Sequence, residues 1–311
     1  MTSLALSHDH TYVASGHSSG HIRVFDLNNP GTPARTVAPT SVAAVKEGRR
    51  EGHFAGSPIT SIGFIAGRHT AIATADDTGL AFYHSLGKVL FVDATDVIRI
   101  LGKYPEDVPQ EPVHPVSHKP RGGQNGLLSS GVPMPFRRRR ERKANTILSM
   151  APLPLGTCPH KTDPYNIIAL LTPMKLVIVG LKPTPTTWYR QSRGQADVGY
   201  KHRWKGSMAW FPCVDSARSG GTSSVSEPST NGKPISPTMP TLVYTWGDII
   251  HLVRVSERRI MHSVKNAKTG KVSQVEVGTI VIEEVSTWTV GEAILAVQWL
   301  NLNVGPFLVF C

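Results

Sequence analysis

Cysteine is scarce in this sequence, with Cys158, Cys213 and Cys311 the three among 311 residues and no Cys-x-x-Cys pair. Wide spacing and an odd count argue against a structural zinc site or a disulfide framework and favour a reducing, intracellular compartment. Long apolar runs are also missing. The closest, 167–181, is broken by Thr172, Pro173 and Lys175, short of the roughly 18 apolar residues a membrane helix needs. The opening MTSLALSHDH has neither the basic stretch nor the apolar run of a secretory leader. Catalytic signatures are absent too: no Gly-x-Ser-x-Gly elbow, His-Glu-x-x-His helix, phosphate-binding Gly/Lys loop or dinucleotide glycine motif.

Proline and glycine, in contrast, are plentiful at 24 and 28. Such punctuation disfavours long helices and favours short elements joined by turns. Apolar runs of strand length recur at 3–7, 12–15 and 21–27, then at 59–65, 70–75 and 80–84. In 21–27, Ile22, Val24 and Asp26 alternate with Arg23 and Phe25, the period-two signature of a strand. The first triplet of strands overlays on the second, with Asp26 opposite His84. Looser units follow at 146–153, 166–171 and 175–181, then at 207–211, 241–246 and 249–255. Segments 279–285 and 293–300 read as the start of another unit, and 93–101 as a further strand. Repeated short strands between turn residues predict an all-β, WD-repeat-like propeller in which each blade stacks on its neighbours. A blade takes about 40–45 residues. The excess in the first repeat falls in the connector 28–56. About four or five blades are countable.

Two segments interrupt the pattern. Residues 105–145 are Pro/Gly/Ser-rich and then basic, and 215–240 are dominated by Ser, Gly, Thr and Pro. Both are expected to be disordered inserts, cut first by proteases, because neither buries enough apolar area to offset the entropy of ordering. The organisation read here is therefore blades at 1–104, 146–214 and 241–311, with the inserts between.

The chain carries 33 Lys and Arg against 22 Asp and Glu, a net charge of +11. Much of the excess sits in Arg137, Arg138, Arg139, Arg140, Arg142 and Lys143. As a mobile loop this run suits contact with an anionic membrane or acidic partner. No aromatic platform is interleaved for single-stranded nucleic acid, so no specific nucleic acid is expected. The histidines His8, His10, His17 and His21 lack acidic ligands at metal-binding spacing and read as turn residues. His53 and His69 read as hydrogen-bonding ties between turns of one blade. Asp9, Asp26, Asp76 and Asp77 read as turn-stabilising carboxylates, with Gly20 and Gly79 supplying permissive dihedrals. No catalytic, metal or cofactor site is expected. The six tryptophans, Trp188 to Trp299, read as blade core or as hot spots on an exposed protein-binding face.

The same residues carry a family resemblance. Residues 3–27, SLALSHDHTYVASGHSSGHIRVFDL, resemble a WD-type blade with Phe25-Asp26 in place of the Trp-Asp pair. Segments 31–40, 48–79, 82–92, 99–105 and 286–301 are similar to the vacuolar protein sorting-associated protein eight family of filamentous fungi, subunits of the CORVET endosomal tethering complex. The resemblance implies a non-catalytic scaffold: an N-terminal propeller, a long α-solenoid and a C-terminal RING-like zinc domain. It also implies partners, namely other tethering subunits and an active early-endosomal Rab GTPase. The location implied is the endosome surface, on the route to the vacuole. It assigns no Rab-contacting residue. Solenoid and RING-like regions are not found, and 304–311 read as an apolar tail where more blade is expected. The sequence is thus read as a truncated propeller of low solubility. An alternative reading is a nuclear or RNA-associated WD-repeat scaffold that binds through its basic loop.

Overall fold

The computed structural model describes residues 1–65, 67–89, 92–104, 145–194, 204–214, 239–265, 272–302 and 305–310. Among them, strands dominate and fall into four antiparallel four-stranded sheets plus a two-stranded one. Blade one is β1 (Ser3–Leu6), β2 (Tyr12–Gly16), β3 (Ile22–Asp26) and β4 (Arg35–Val37). Blade two is β5 (Ile59–Ile65), β6 (Arg68–Asp76), β7 (Ala81–Val89) and β8 (Val92–Leu101). Blade three is β9 (Ser149–Pro152), β10 (Ile167–Leu171), β11 (Lys175–Gly180) and β12 (Thr186–Ser192). Blade four is β13 (Met208–Phe211), β14 (Thr241–Trp246), β15 (Ile249–Lys265) and β16 (Val272–Thr289). A fifth sheet pairs β17 (Val297–Leu302) with β18 (Gly305–Phe310). Within each blade the strands follow chain order, so every neighbour is joined by a hairpin.

Side-chain alternation explains why these runs are so apolar. Ile168 and Leu170 of β10 pack with Val177 and Val179 against blade two, among Ala71, Ala73, Ala75 and Tyr83. Their neighbours Ile167, Ala169 and Leu171 point the other way, with Leu176 and Ile178, onto Leu242, Tyr244 and Trp246 of blade four. Both faces of β10 are therefore buried, and all five of its residues are inaccessible. Ile72 of β6 likewise turns away from Ala71 and Ala73 to meet Ala14, Ile22 and Val24 of blade one. Each such Leu or Ile contributes about 1.5–3 kcal/mol of apolar burial. The innermost strands β1, β5, β9, β13 and β17 neighbour one another in sequence order. The blades thus stack around one axis.

Several elements depart from the sequence reading. The connector 28–56 contains the edge strand β4 and a short helix α1 (Val42–Lys46), whose N-cap Ser41 accepts the Ala44 N–H at 3.1 Å. Strand β12 has little apolar signal because it is an edge strand, largely exposed. Segment 279–285 does not open a new blade. It lies inside β16, which pairs with β15 along both their lengths and closes blade four. The strand expected at 293–300 begins only at Val297, after a turn through Gly291. The terminal apolar residues are not a tail, because Gly305–Phe310 forms β18 against β17. The expected inserts fall almost wholly outside the described residues.

Candidate functional site

Blade one is built on tight polar turns. The Asp9 carboxylate accepts the Ser7 hydroxyl at 2.6 Å and the Thr11 N–H at 3.2 Å. These hydrogen bonds, from Ser7 first, pull its pKa down to about 2. Asp26 accepts the Asn28 N–H at 2.9 Å in the turn after β3. Gly20 sits at φ +88°, and a Cβ there would meet the Phe54 carbonyl oxygen at 2.7 Å. The early histidines do not converge. His17 Nε2 lies 3.2 Å from Ser15 Oγ, His21 Nδ1 2.9 Å from Ser19 Oγ, and His8 and His10 are exposed. His69 joins two blades rather than two turns of one: it stacks on Tyr12 at 4.8 Å and approaches the Asp9 carboxylate at 3.9 Å.

The most developed polar array is in blade two. Asp76 ends β6 and accepts, through Oδ1, the Thr78 N–H, the Thr78 hydroxyl and the Leu80 N–H at 2.9, 2.7 and 3.0 Å. Its Oδ2 lies 2.8 Å from His53 Nδ1. His53 Nε2 is 2.6 Å from Thr74 Oγ1, which is 2.8 Å from His84 Nε2. All four side chains are buried. The Thr74 hydroxyl has a single proton for the two ring nitrogens beside it, so the donor roles along the array follow the imidazole tautomers. His84 Nδ1 has no hydrogen-bond partner among the described residues. Burial, helped by the nearby His53, pulls the His84 pKa down to about 3 and keeps the ring neutral. Phe82 packs edge-on against His53 at 4.8 Å, and Val45, Leu80 and Tyr104 complete the apolar cover.

Carboxylate, imidazole and hydroxyl in this sequence have the connectivity of a nucleophilic triad. Their placement denies them that chemistry. Thr74 Oγ1 is held between two imidazoles with no exposed surface, so no reacting carbon can approach it. The array is a clamp that fastens the connector before β5 to the β6–β7 turn. Gly52-His53 is the glycine–histidine pair of the WD signature. Together with Asp76, it is the sequence signal from which the clamp could have been found.

Hairpin registers correct the overlay of the first two blades. Tyr12 pairs with Asp26, and Ala71 with Ser85; Val13 pairs with Phe25, and Ile72 with His84. Phe25, not Asp26, is therefore the counterpart of His84. Counted from Leu6 and Phe64, which the overlay matches, Tyr12 comes six residues on and its register counterpart Ala71 seven, and the extra residue displaces everything after it. Blade one accordingly has Ser15, His17 and Phe25 where blade two has Thr74, Asp76 and His84, and no clamp forms there.

These sheets and this clamp are the frame on which the comparisons with known proteins bear. The Vps8 beta-propeller family matches residues 1–304. The chain belongs to that family. Vps8-family propellers are non-catalytic scaffolds, and the buried clamp is part of such a scaffold. No curated protein matches the chain. Among solved structures, it is similar to a chain of the mitotic checkpoint complex at 12% identity and TM-score 0.42, covering 95% of this chain and 53% of that one. The Cps50 (Swd1) β-propeller domain of Myceliophteria thermophila matches at 11% identity and TM-score 0.37, covering 88% and 57%. Sqt1 of Chaetomium thermophilum matches at 13% and 0.38, covering 81% and 42%. The chain spans about half the length of the solved chains it matches.

In this Vps8-family propeller, Asp77 follows the clamp carboxylate, its N–H donating to the Pro58 carbonyl at 3.1 Å and its own carbonyl accepting the Thr146 hydroxyl at 3.0 Å. Gly79 adopts φ +94°, and a Cβ there would collide with the Asn145 carbonyl. The flanks of the basic insert, Tyr104 and Asn145, therefore both lie at the clamp end of blade two. The run Arg137, Arg138, Arg139, Arg140, Arg142 and Lys143 itself lies outside the described residues.

A second polar network crosses from blade three to blade four. Gln191 donates to Glu284 at 2.9 Å and accepts the hydroxyls of Tyr189 and Tyr244 at 2.9 and 2.7 Å. His251 Nδ1 lies 2.8 Å from Glu284, and its ring stacks on Tyr244 at 4.6 Å. Burial pushes the Glu284 carboxyl up, but hydrogen bonds from His251, Thr287 and Gln191 outweigh it and hold the group below the usual carboxylate range. Trp210 and Trp246 are buried and donate to the carbonyls of Ala151 and Thr172 at 2.9 Å. Trp288 on β16 is 49% exposed. Among the described residues, no group of three or more His, Cys, Asp or Glu side chains could hold a metal ion, and no helix is long and apolar enough to cross a membrane.

Proposed function

We propose that this propeller is the protein-interaction module of an endosomal vesicle-tethering subunit acting in endosome-to-vacuole transport. It works by recognising an active early-endosomal Rab GTPase alongside other subunits of the tether. The observation that carries this reading is the family match over residues 1–304. A propeller with a buried polar clamp supplies a rigid body whose loops and edge strands are free to bind, which suits recognition rather than chemistry. Exposed Trp288 on an edge strand has the amphipathic bulk of an interface anchor. The basic run from Arg137 to Lys143 adds weak attraction to anionic lipid, and the protein works as a cytoplasmic, peripheral component of the endosome or vacuole membrane.

One experiment tests both parts. Neutral and anionic vesicles are decorated with early-endosomal Rab, loaded with GTP or GDP, and floated with the chain. Capture should depend on GTP on neutral vesicles and rise further on anionic ones. Equal, background-level capture with either nucleotide would sink Rab recognition, and no difference between vesicle types would remove the lipid contact.

A further inference from the structure

Cys158 and Cys213 are distant in the sequence and adjacent in the fold. Cys158 lies in the loop between β9 and β10 of blade three, and Cys213 two residues after β13 of blade four. Their Sγ atoms are 3.1 Å apart. The approach is built into the backbone. Thr157 N–H donates to the Cys213 carbonyl at 3.0 Å. Gly156 lies so close to that carbonyl that a Cβ on it would collide. Cys158 is half-buried and open to solvent, whereas Cys213 is buried.

We infer that Cys158 and Cys213 form a redox-modification site that takes a hydroperoxide and closes a reversible disulfide between blades three and four. A bonded pair needs its sulfurs at about 2.05 Å, a movement of roughly 1 Å from the observed spacing. Exposure assigns the order of events, since the accessible sulfur meets the oxidant first. The Cys158 thiolate attacks the terminal peroxide oxygen. The O–O bond breaks, an S–O bond forms, and the alcohol or water leaves with a proton, giving a sulfenic acid. The Cys213 thiol then gives up its proton and attacks the Cys158 sulfur. The S–S bond forms, and the departing hydroxide takes that proton as water. Two thiols and one hydroperoxide thus become one disulfide, one alcohol and one water. A thiol or dithiol reductant reverses the step. The linkage fastens the loop ends of β9 and β13, at the opposite end of the blades from the His53 clamp.

The test uses the full chain carrying Cys311→Ser, so that two thiols remain. It is exposed to hydrogen peroxide, alkylated and mapped by peptide mass spectrometry. Expected is a linked peptide pair containing Cys158 and Cys213, lighter by two hydrogens and reversed by dithiothreitol. In folded protein this pair should form at least about tenfold faster than in denatured protein, reflecting the preorganised approach. Adding Cys213→Ser should leave a sulfenic acid at Cys158 that dimedone traps. If no linked pair forms, or if folding gives no rate advantage, the proposal is wrong. It is equally wrong if Cys158 advances to sulfinic acid as fast with Cys213 as without it. The folded parent comparison needs no further variant, so misfolding of one leaves the test intact.

Discussion

Thr74 Oγ1 lies between two imidazoles, 2.6 Å from His53 and 2.8 Å from His84, and this one atom shows why the clamp depends on protonation state. Burial keeps His84 neutral beside that hydroxyl. The folded His84 binds a second proton only below about 3, whereas the unfolded imidazole does so below its ordinary 6.5. Between those values the unfolded state holds more protons. Stability is therefore fully present above about 6.5 and falls as pH drops, by up to about 1.4 kcal/mol per pH unit from this residue. Urea unfolding at pH 7, 6, 5 and 4 should show that slope. His84→Gln keeps an N–H donor to Thr74 without titrating and should flatten it by about that amount. An unchanged slope in the variant would mean that His84 is not the buried titrating group.

At the scale of strands, close approach between blades rests on small residues. Gly16 of β2 faces the inner strand of blade two, where a Cβ would meet the Ile59 side chain at 2.6 Å and collide with the Ser3 hydroxyl. Gly16→Val should cost about 1–3 kcal/mol through overpacking, lowering the denaturation midpoint without changing the circular dichroism spectrum. Full retention of stability would show that the β2–β5 seam is looser than these contacts imply. The elements easiest to anticipate from the sequence were apolar inner strands: 59–65 and 241–246 coincide with β5 and β14 residue for residue. Those missed included β4 and β12, exposed edge strands with little periodic apolar signal, and β18, which was read as a tail. In the long β15–β16 hairpin, the part of β15 beyond Val255 was not foreseen, because it bears charged residues such as Arg258, Arg259 and Lys265.

At the scale of the whole molecule, the blades hold together through shared packing. The principal apolar clusters lie between sheets, with Ile168 and Leu170 of blade three completing the packing of blade two. Unfolding of neighbouring blades should accordingly be coupled. Ile168→Ala should remove about 2–5 kcal/mol and shift the far-ultraviolet dichroism and tryptophan-fluorescence melts together. Blade two contains no tryptophan, while blades three and four hold Trp188, Trp210, Trp246 and Trp288. Separated transitions would therefore show that the blades melt independently.

Alternation, turn residues and glycine placement were local properties, and the sequence by itself determined from them an all-β chain of repeated hairpins and its approximate blade number. What only the tertiary structure decided were the distances between residues remote in the chain. His53 meets Asp76 because a connector returns across its own blade, Gln191 meets Glu284 across a seam between blades, and Cys158 meets Cys213 through two loop exits that share one end of the stack. The overlay of the first two blades slipped by one residue for the same reason. A turn's length is visible in a sequence, but which residue it brings opposite which is fixed by the hydrogen-bond register of the folded hairpin.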